Sequence, residues 1–365
     1  MSPPPSLWRH ADFMKLWAGQ TVSRLGSVVT RTAVPLVALL VLGAGPKEMA
    51  LLVVSASIAV LLVGFVAGAW VDRLRRRPLL IATEAIRALV LFSIPVAHVA
   101  GALHMEQLYV VMFVDAGLAS VFDAAYVPSL IGADRVVDGN SKLATSSSIA
   151  EIGGPGLAGT LVQAVSAPFA ILVDAVSFLV SAVSLLLIRT PEPARPPRTS
   201  ATPIGREILE GLQLVRRHRI LFAIALRSVI GHVAGSFYGV LYTLFLIREL
   251  HLDPFVFGLV ISAGGVGSLV GSLAAARFIR RLGVGRAFIW TAIGAVALGV
   301  LTPLAQGPLI VATTMVFHPA AVRRWPADDR GRRRAVARPG PGARPHSRSA
   351  RPDRHGRPAV DCPES

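Results

Sequence analysis

The chain has 365 residues, of which 53% are hydrophobic and only 16% charged, with a mean hydropathy of +0.59; a soluble domain would carry about 25% charged residues. Its formal charge of +16 divides between residues 1–317, with 25 basic against 16 acidic residues, and residues 318–365, with 12 against 5. A single cysteine, Cys362, excludes an intrachain disulfide, and long apolar runs joined by very short loops, with no amphipathic stripe, argue against buried core helices of a large soluble protein.

A membrane-crossing helix takes roughly 20 apolar residues. Runs of that kind lie near Leu16–Leu42, Met49–Val71, Leu79–Gly101 and Leu108–Val127. Further runs lie near Leu143–Val165, Pro168–Ile188, Ile220–Ile247, Phe255–Ala276 and Ala287–Leu304. About nine transmembrane helices are therefore expected. Met1–His10 lacks the small-residue cleavage site of a secretory signal, so the first run is expected to stay as an uncleaved anchor.

Basic residues alternate from loop to loop. Arg9 and Lys15 precede the first run, Arg73, Arg75, Arg76 and Arg77 follow the second, and Arg135 and Lys142 follow the fourth. Arg189 to Arg219 bring seven arginines after the sixth, and Arg277, Arg280, Arg281 and Arg286 follow the eighth. The opposite loops hold only Lys47 and Arg248. Short basic loops stay in the cytoplasm, which places the N-terminus inside and makes the Pro-rich segment Thr190–His218 a cytoplasmic linker. Topology accounts for most of these charges, and no nucleic-acid role is expected of them.

Gly68-x-x-x-Asp72-Arg73-x-x-Arg76-Arg77 lies between the second and third runs. The chain repeats its surroundings: Gly64-x-x-x-Gly68 returns as Ser268-x-x-x-Ser272, and Arg73, Arg76 and Arg77 return as Arg277, Arg280 and Arg281. The step is 204 residues (268 − 64, 281 − 77). Such a period within membrane-like sequence points to a transporter of two homologous halves. Other short motifs are Leu16-Trp17-x-Gly19-Gln20, Phe122-Asp123-x-Ala125-Tyr126-x-Pro128, Asn140-Ser141, Gly154-Pro155-x-x-x-Gly159 and Asp174-x-x-Ser177-Phe178.

The loop motif resembles the signature of the major facilitator superfamily, with Arg75 standing where many members have glycine. Together with the other motifs, from about Asp12 to about Phe317, it looks like the branch that contains macrolide efflux proteins and the enterobactin exporter. The resemblance implies that Asp72 meets a helix N-terminus of the other half and that the arginines cross-link the halves on the cytoplasmic side. Gly154–Gly159 also fits G-x-G-x-x-G, but a dinucleotide loop needs a preceding strand. Inside an apolar run it reads better as a Pro-bent, Gly-faced helix. It resembles the fifth-helix motif of drug/proton antiporters, with Ala150 and Ala158 replacing two of that motif's glycines.

Ionisable residues inside apolar runs point to function, because a charge at the membrane centre costs at least ~2.5–3.5 kcal/mol and so faces a partner or a watery cavity. They are Arg24, Arg31, Glu84, Arg87, Asp115, Asp123, Glu151, Asp174, Arg227 and His232. Glu84 and Arg87, three apart on one helix, are expected to satisfy each other. Arg31 and Asp115 are the first candidates for substrate or proton coupling, weighed against a purely structural ion pair. Glu151, near Pro155, comes next, and Asp123 is a gate or interface candidate. His232 is expected to be a helix-packing contact, and Ser146-Ser147-Ser148 are expected to pack helices. No His/Cys cluster has metal spacing and no G-x-S-x-G elbow occurs, so no enzyme, metal or cofactor is expected.

By the 204-residue step the tenth span should occupy about 312–331, yet the apolar run Leu309–Phe317 stops at His318. The segment 318–365 holds no Leu, Ile, Phe, Tyr, Met or Lys. Out-of-frame translation of GC-rich DNA accounts for the break, the missing residue types and the absent last spans together. A disordered basic arm binding anionic lipid or nucleic acid accounts only for the charge.

The expectation is thus an all-α polytopic membrane protein of the major facilitator type, with about nine helices of an expected twelve. Residues 1–188 form a six-helix half, 189–219 the linker, 220–317 an incomplete second half, and 318–365 a disordered basic tail. The resemblance implies proton-antiport export of a small hydrophobic or amphiphilic molecule from a bacterial cytoplasmic membrane. Its partners are that molecule, protons and the bilayer. The alternative is a non-transporting membrane anchor with a basic tail.

Overall fold

A computed structural model of the chain describes residues 11–71, 74–126, 136–189 and 204–282, together with 290 and 293. Every regular element among the described residues is helical. The helices are α1 (Ala11–Leu36), α2 (Pro46–Val71), α3 (Arg76–Val99), α4 (Met105–Tyr126) and α5 (Val136–Val165). They are followed by a short α6 (Ala167–Ala170), then α7 (Leu172–Leu186), α8 (Ile204–Arg217), α9 (Arg219–Leu244) and α10 (Pro254–Leu282).

Among the described residues, six stretches are long and apolar enough to cross a membrane: Ala11–Val41, Pro46–Gly64, Arg76–Val99, Met105–Asp123, Ala167–Leu186 and Val229–Glu249. Pro254–Val270 is a shorter apolar stretch within α10. The fifth expected span is helix α5, whose Ser146–Ser148, Glu151 and Gly153–Gly156 dilute its apolar character. The ninth expected span, Ala287–Leu304, the expected tenth and the tail lie outside the described residues, apart from Trp290 and Ile293.

Helix α1 is the central element. It packs on α5 and α7, while α3 packs on α4 and α7, α2 on α4, and α5 on α10. Of its apolar stretch 61% is buried, against 17% for that of α2. The α5–α10 crossing depends on glycine. A Cβ on Gly159 would run into the carbonyl of Pro254, and one on Gly258 into the carbonyl of Pro155. Small residues of this kind let membrane helices approach backbone to backbone. Gly154–Gly159 is therefore helical, and a dinucleotide loop is ruled out.

Two helix ends are built alike. Helix α1 closes in a π-helical turn, Val37–Val41, and α9 in another, Phe245–Glu249. In the first, the N–H groups of Leu42 and Ala44 donate to Val37 O and Ala38 O; in the second, Leu250 and Leu252 donate to Phe245 O and Leu246 O. Gly43 (φ 66°) and His251 (φ 49°) hold the same left-handed position, and Pro46 and Pro254 open the next helices, where proline's fixed φ suits the first turn. The step between these ends is 208 (245 − 37, 254 − 46), not the 204 of the loop motif. The segment from Pro254 to Ser268 is thus four residues shorter than that from Pro46 to Gly64. That is close to one helical turn, which keeps the same face pointing the same way.

The segment read as the linker contains a helix. Residues 190–203 lie outside the described residues, but 204–217 form the helix α8, separated from α9 by one extended residue, His218 (φ −93°, ψ 104°).

Candidate functional site

Helix α1 sets the site. Gln20, Ser23, Arg24, Ser27, Thr30 and Arg31 recur at three- and four-residue steps, so one face of an otherwise apolar helix is polar. That face lines a cavity of about 550 Å3. Leu52, Val53, Ala56 and Val60 of α2, with Met112, Ala116 and Ala119 of α4, line it too. Glu84, Arg87, Asp115 and Asp123 add charge, and His232 and Ser236 come from α9. One wall is therefore charged and another greasy.

Three ion pairs join the helices around this space. Arg24 Nη2 lies 2.6 Å from Asp123 Oδ1, tying α1 to α4. Arg31 Nη2 lies 2.8 Å from Glu151 Oε1, tying α1 to α5. Arg87 Nε lies 2.8 Å from Asp115 Oδ1, tying α3 to α4. Arg31 and Asp115, the first coupling candidates, thus take different partners, so the alternative of a structural pair between them does not hold, and the expected pairing of Glu84 with Arg87 is corrected. A neighbouring pair on one helix gains only ~0.2–0.5 kcal/mol, whereas the packing of α3 on α4 brings Asp115 directly onto the guanidinium. Phe178 of α7 lies under the same group, its ring centre 4.0 Å from Arg87 Cζ, an attraction between cation and ring face.

Exposure separates the pairs. The Arg87 and Asp115 side chains are 8% and 13% exposed, those of Arg31 and Glu151 59% and 39%. The first is a fixed, buried tie, and removing one partner of such a pair strands a charge. The second, like Arg24–Asp123, is far more exposed.

Glu84 is fully buried. Its Oε1 accepts from the Ser181 hydroxyl at 3.1 Å and the Gln20 amide at 3.5 Å, and the same amide donates to Ser181 Oγ at 3.0 Å. Asp174, also buried, accepts from the Ser177 hydroxyl at 3.0 Å. His232 is exposed on the cavity wall instead of packed between helices. Ser146 and Ser148 turn their hydroxyls back onto the carbonyls of Lys142 and Ala144 of their own helix, and Ser146 and Ser147 border a smaller hollow beside Gln20 and Arg24. In the sequence Gln20 stands out only within a short motif, although the polar period along α1 marks it, and Ser181 carries no such signal.

The loop motif is only partly visible. Asp72 and Arg73 lie outside the described residues, as do the surroundings of Gly68 and the side chains of Arg227, Arg277 and Arg280. Arg281 is exposed at the end of α10. Arg77 donates from Nε to Leu185 O at 3.1 Å and from Nη2 to Leu186 O at 2.8 Å. It caps the open carbonyls of α7 within its own half, where the resemblance implied a link between halves; the side chain of Arg76 also lies at the start of α3. A link between the two repeated segments does occur at the other end of the cavity. Arg248 Nη2 donates to Ala44 O at 2.6 Å and to Gly43 O at 3.2 Å, beside a buried cluster that joins Val34, Leu36 and Leu52 to Leu244 and Leu246. Between α5 and α10, Gly156 N donates to Ser262 Oγ at 2.9 Å, and Phe255 N to Gln163 Oε1 at 3.2 Å. Among the described residues, no group of three or more His, Cys, Asp or Glu could hold a metal ion.

The model of the Major Facilitator Superfamily matches residues 16–322. An uncharacterized MFS-type transporter of Bacillus subtilis (strain 168), YfiS, is 28% identical over 232 residues, which is 60% of this chain and 52% of that protein. The chain spans about half the length of the curated relatives it matches. Among solved structures, the nucleoside transporter NupG superposes with a TM-score of 0.66 at 12% identity, covering 85% of this chain and 79% of its own. A bacterial homologue of the iron transporter ferroportin, in its inward-facing state, gives 0.60 at 19% identity, covering 91% and 88%. At such identities the likeness concerns the fold alone.

Proposed function

Given that the chain belongs to the Major Facilitator Superfamily, a family of multi-pass membrane transporters and not of enzymes, we propose that it is a secondary active exporter of a small amphiphilic molecule. The observation that carries this reading is the cavity with ion-paired groups on α1 and α4 and a mostly apolar wall on α2. Such a space suits a ligand with a polar head and a hydrophobic body. The motifs quoted above favour the branch with macrolide efflux proteins and the enterobactin exporter. Residues 1–188 and 220–317 are the two moving parts, joined by 189–219.

Coupling is assigned to the open pairs. Protonation of Glu151 or Asp123 would release Arg31 or Arg24, so that a proton and a substrate compete for one set of groups. This is the logic of antiport. Asp115 is moved from coupling to support, because Arg87 and Phe178 hold it in the wall. With the N-terminus in the cytoplasm of a bacterial cell, the Arg248 clasp lies on the outer side, and the cavity faces inward.

Reconstitution into vesicles with an imposed pH gradient tests the reading. Amphiphilic dyes should move against the proton gradient, and the movement should collapse with a protonophore. Dye movement unaffected by the gradient would remove the antiport reading.

A further inference from the structure

Helix α8 is not absorbed by the transport cycle. Its sequence carries two faces: Ile204, Ile208, Leu212 and Val215 fall on one side by helical spacing, and Arg206, Glu210, Gln213 and Arg217 on the other. Arg206 and Glu210 pair along the polar side at 3.0 Å. Leu209, Leu212 and Leu214 are 53%, 50% and 62% exposed. Too short and too charged to cross a bilayer, α8 still leaves half or more of each of these leucines exposed among the described residues.

Three features of the chain say what covers them. First, α8 runs directly into α9, which holds a membrane-crossing stretch. Second, extended His218 interrupts the helix between them, so α8 does not continue down the axis of α9. Third, the junction is basic: Arg206, Arg216, Arg217 and Arg219 outnumber Glu207 and Glu210. An amphipathic helix with leucines on one face and arginines beside them lies in the plane of the interface, with its apolar face some 5–10 Å into the headgroup boundary. Basic side chains at that depth reach up to anionic headgroups.

We propose that α8 is a docking surface for anionic phospholipid, held on the membrane surface by Leu209, Leu212 and Val215 and by the arginines at its C-terminal end. Because α8 also packs against α2 and α9, its bound lipid would brace the two repeated segments at that end. The proposal rests on α9 crossing the membrane and is independent of export, substrate and coupling ion.

The full chain, in a Cys362→Ser background, would be labelled with a fluorophore at Leu212→Cys or at Gln213→Cys. It would then be placed in nanodiscs of phosphatidylcholine with or without phosphatidylglycerol, brominated on the acyl chains as quencher. In the presence of phosphatidylglycerol, quenching at position 212 should exceed that at 213 several-fold. It should fall when phosphatidylglycerol is omitted and when Arg216→Gln and Arg217→Gln are combined. Equal quenching at 212 and 213 would overturn the surface orientation. Quenching at 212 unchanged by phosphatidylglycerol and by the arginine substitutions would overturn the anionic preference. A probe at 212 shielded from both brominated lipid and aqueous iodide would show a protein partner instead and overturn the proposal. As the labelled side chains are exposed, misfolding is not the expected outcome, and unaltered thermal unfolding of each variant checks it.

Discussion

Helix α1 with its π-turn, residues 11–41, and helix α9 with its own, residues 219–249, are the same backbone written twice with different chemistry. At the step of 208, Arg24 corresponds to His232, Arg31 to Gly239, and Leu40 to Arg248. Both Arg24 and His232 line the cavity. The first copy spends its polar residues on ion pairs within the bundle. The second carries Arg219, Arg227 and His232 along its length and Arg248 near its end, where Arg248 grips the turn of the first copy. Backbone hydrogen bonding builds the same helix end from different side chains. In the two turns only Leu42 and Leu250, and Pro46 and Pro254, still agree.

The largest effect should come from the buried tie of the first copy's bundle. Arg87→Ala should leave Asp115 charged and unpaired and cost about 3–5 kcal/mol, read as a loss of folded yield in detergent. An apolar pair, Arg87→Met with Asp115→Leu, should recover most of it. Full stability of the single variant would show that the pair is dispensable.

Next is the crossing that joins the copies' neighbouring helices. Gly258→Val should force α10 away from the Pro155 carbonyl and cost about 1–3 kcal/mol, seen as earlier thermal unfolding. Gly205→Val, with open space around its position, is the control for valine itself.

Arg248→Ala removes the second copy's grip. Hydrogen bonds to a charged group contribute about 1.5–3 kcal/mol each when buried, and less here because one of the two is exposed. A cysteine replacing Val34, which is 1% exposed in the sealed cluster, should become several-fold more reactive. An unchanged labelling rate would mean that the apolar cluster alone holds the seal.

The smallest effect is at the paired left-handed positions. His251→Gly should stabilise by about 1 kcal/mol, because glycine tolerates positive φ, and Gly43→Ala should destabilise by a similar amount. Opposite signs at equivalent positions would confirm that the turns are one structure.

Much of the fold was legible because hydropathy acts residue by residue. The span positions and the fifth-helix glycines needed no partner to be recognised. The pairing of charges did need one. Glu84 and Arg87 are neighbours on a helix surface, yet the rotation of α3 against α4 and α7 gives Arg87 to Asp115 and Phe178, and Glu84 to Gln20 and Ser181. The 208-residue step stayed hidden because the turns share geometry and little sequence. Helix α8 was masked by the proline-rich stretch before it.

The assignment of coupling to the open pairs of α1 is tested most directly by one transport measurement. Reconstituted protein carrying Glu151→Gln should insert and fold but lose dye export driven by an imposed pH gradient, while exchange of dye without a gradient continues. Gradient-driven export equal to that of the unaltered chain would contradict the account.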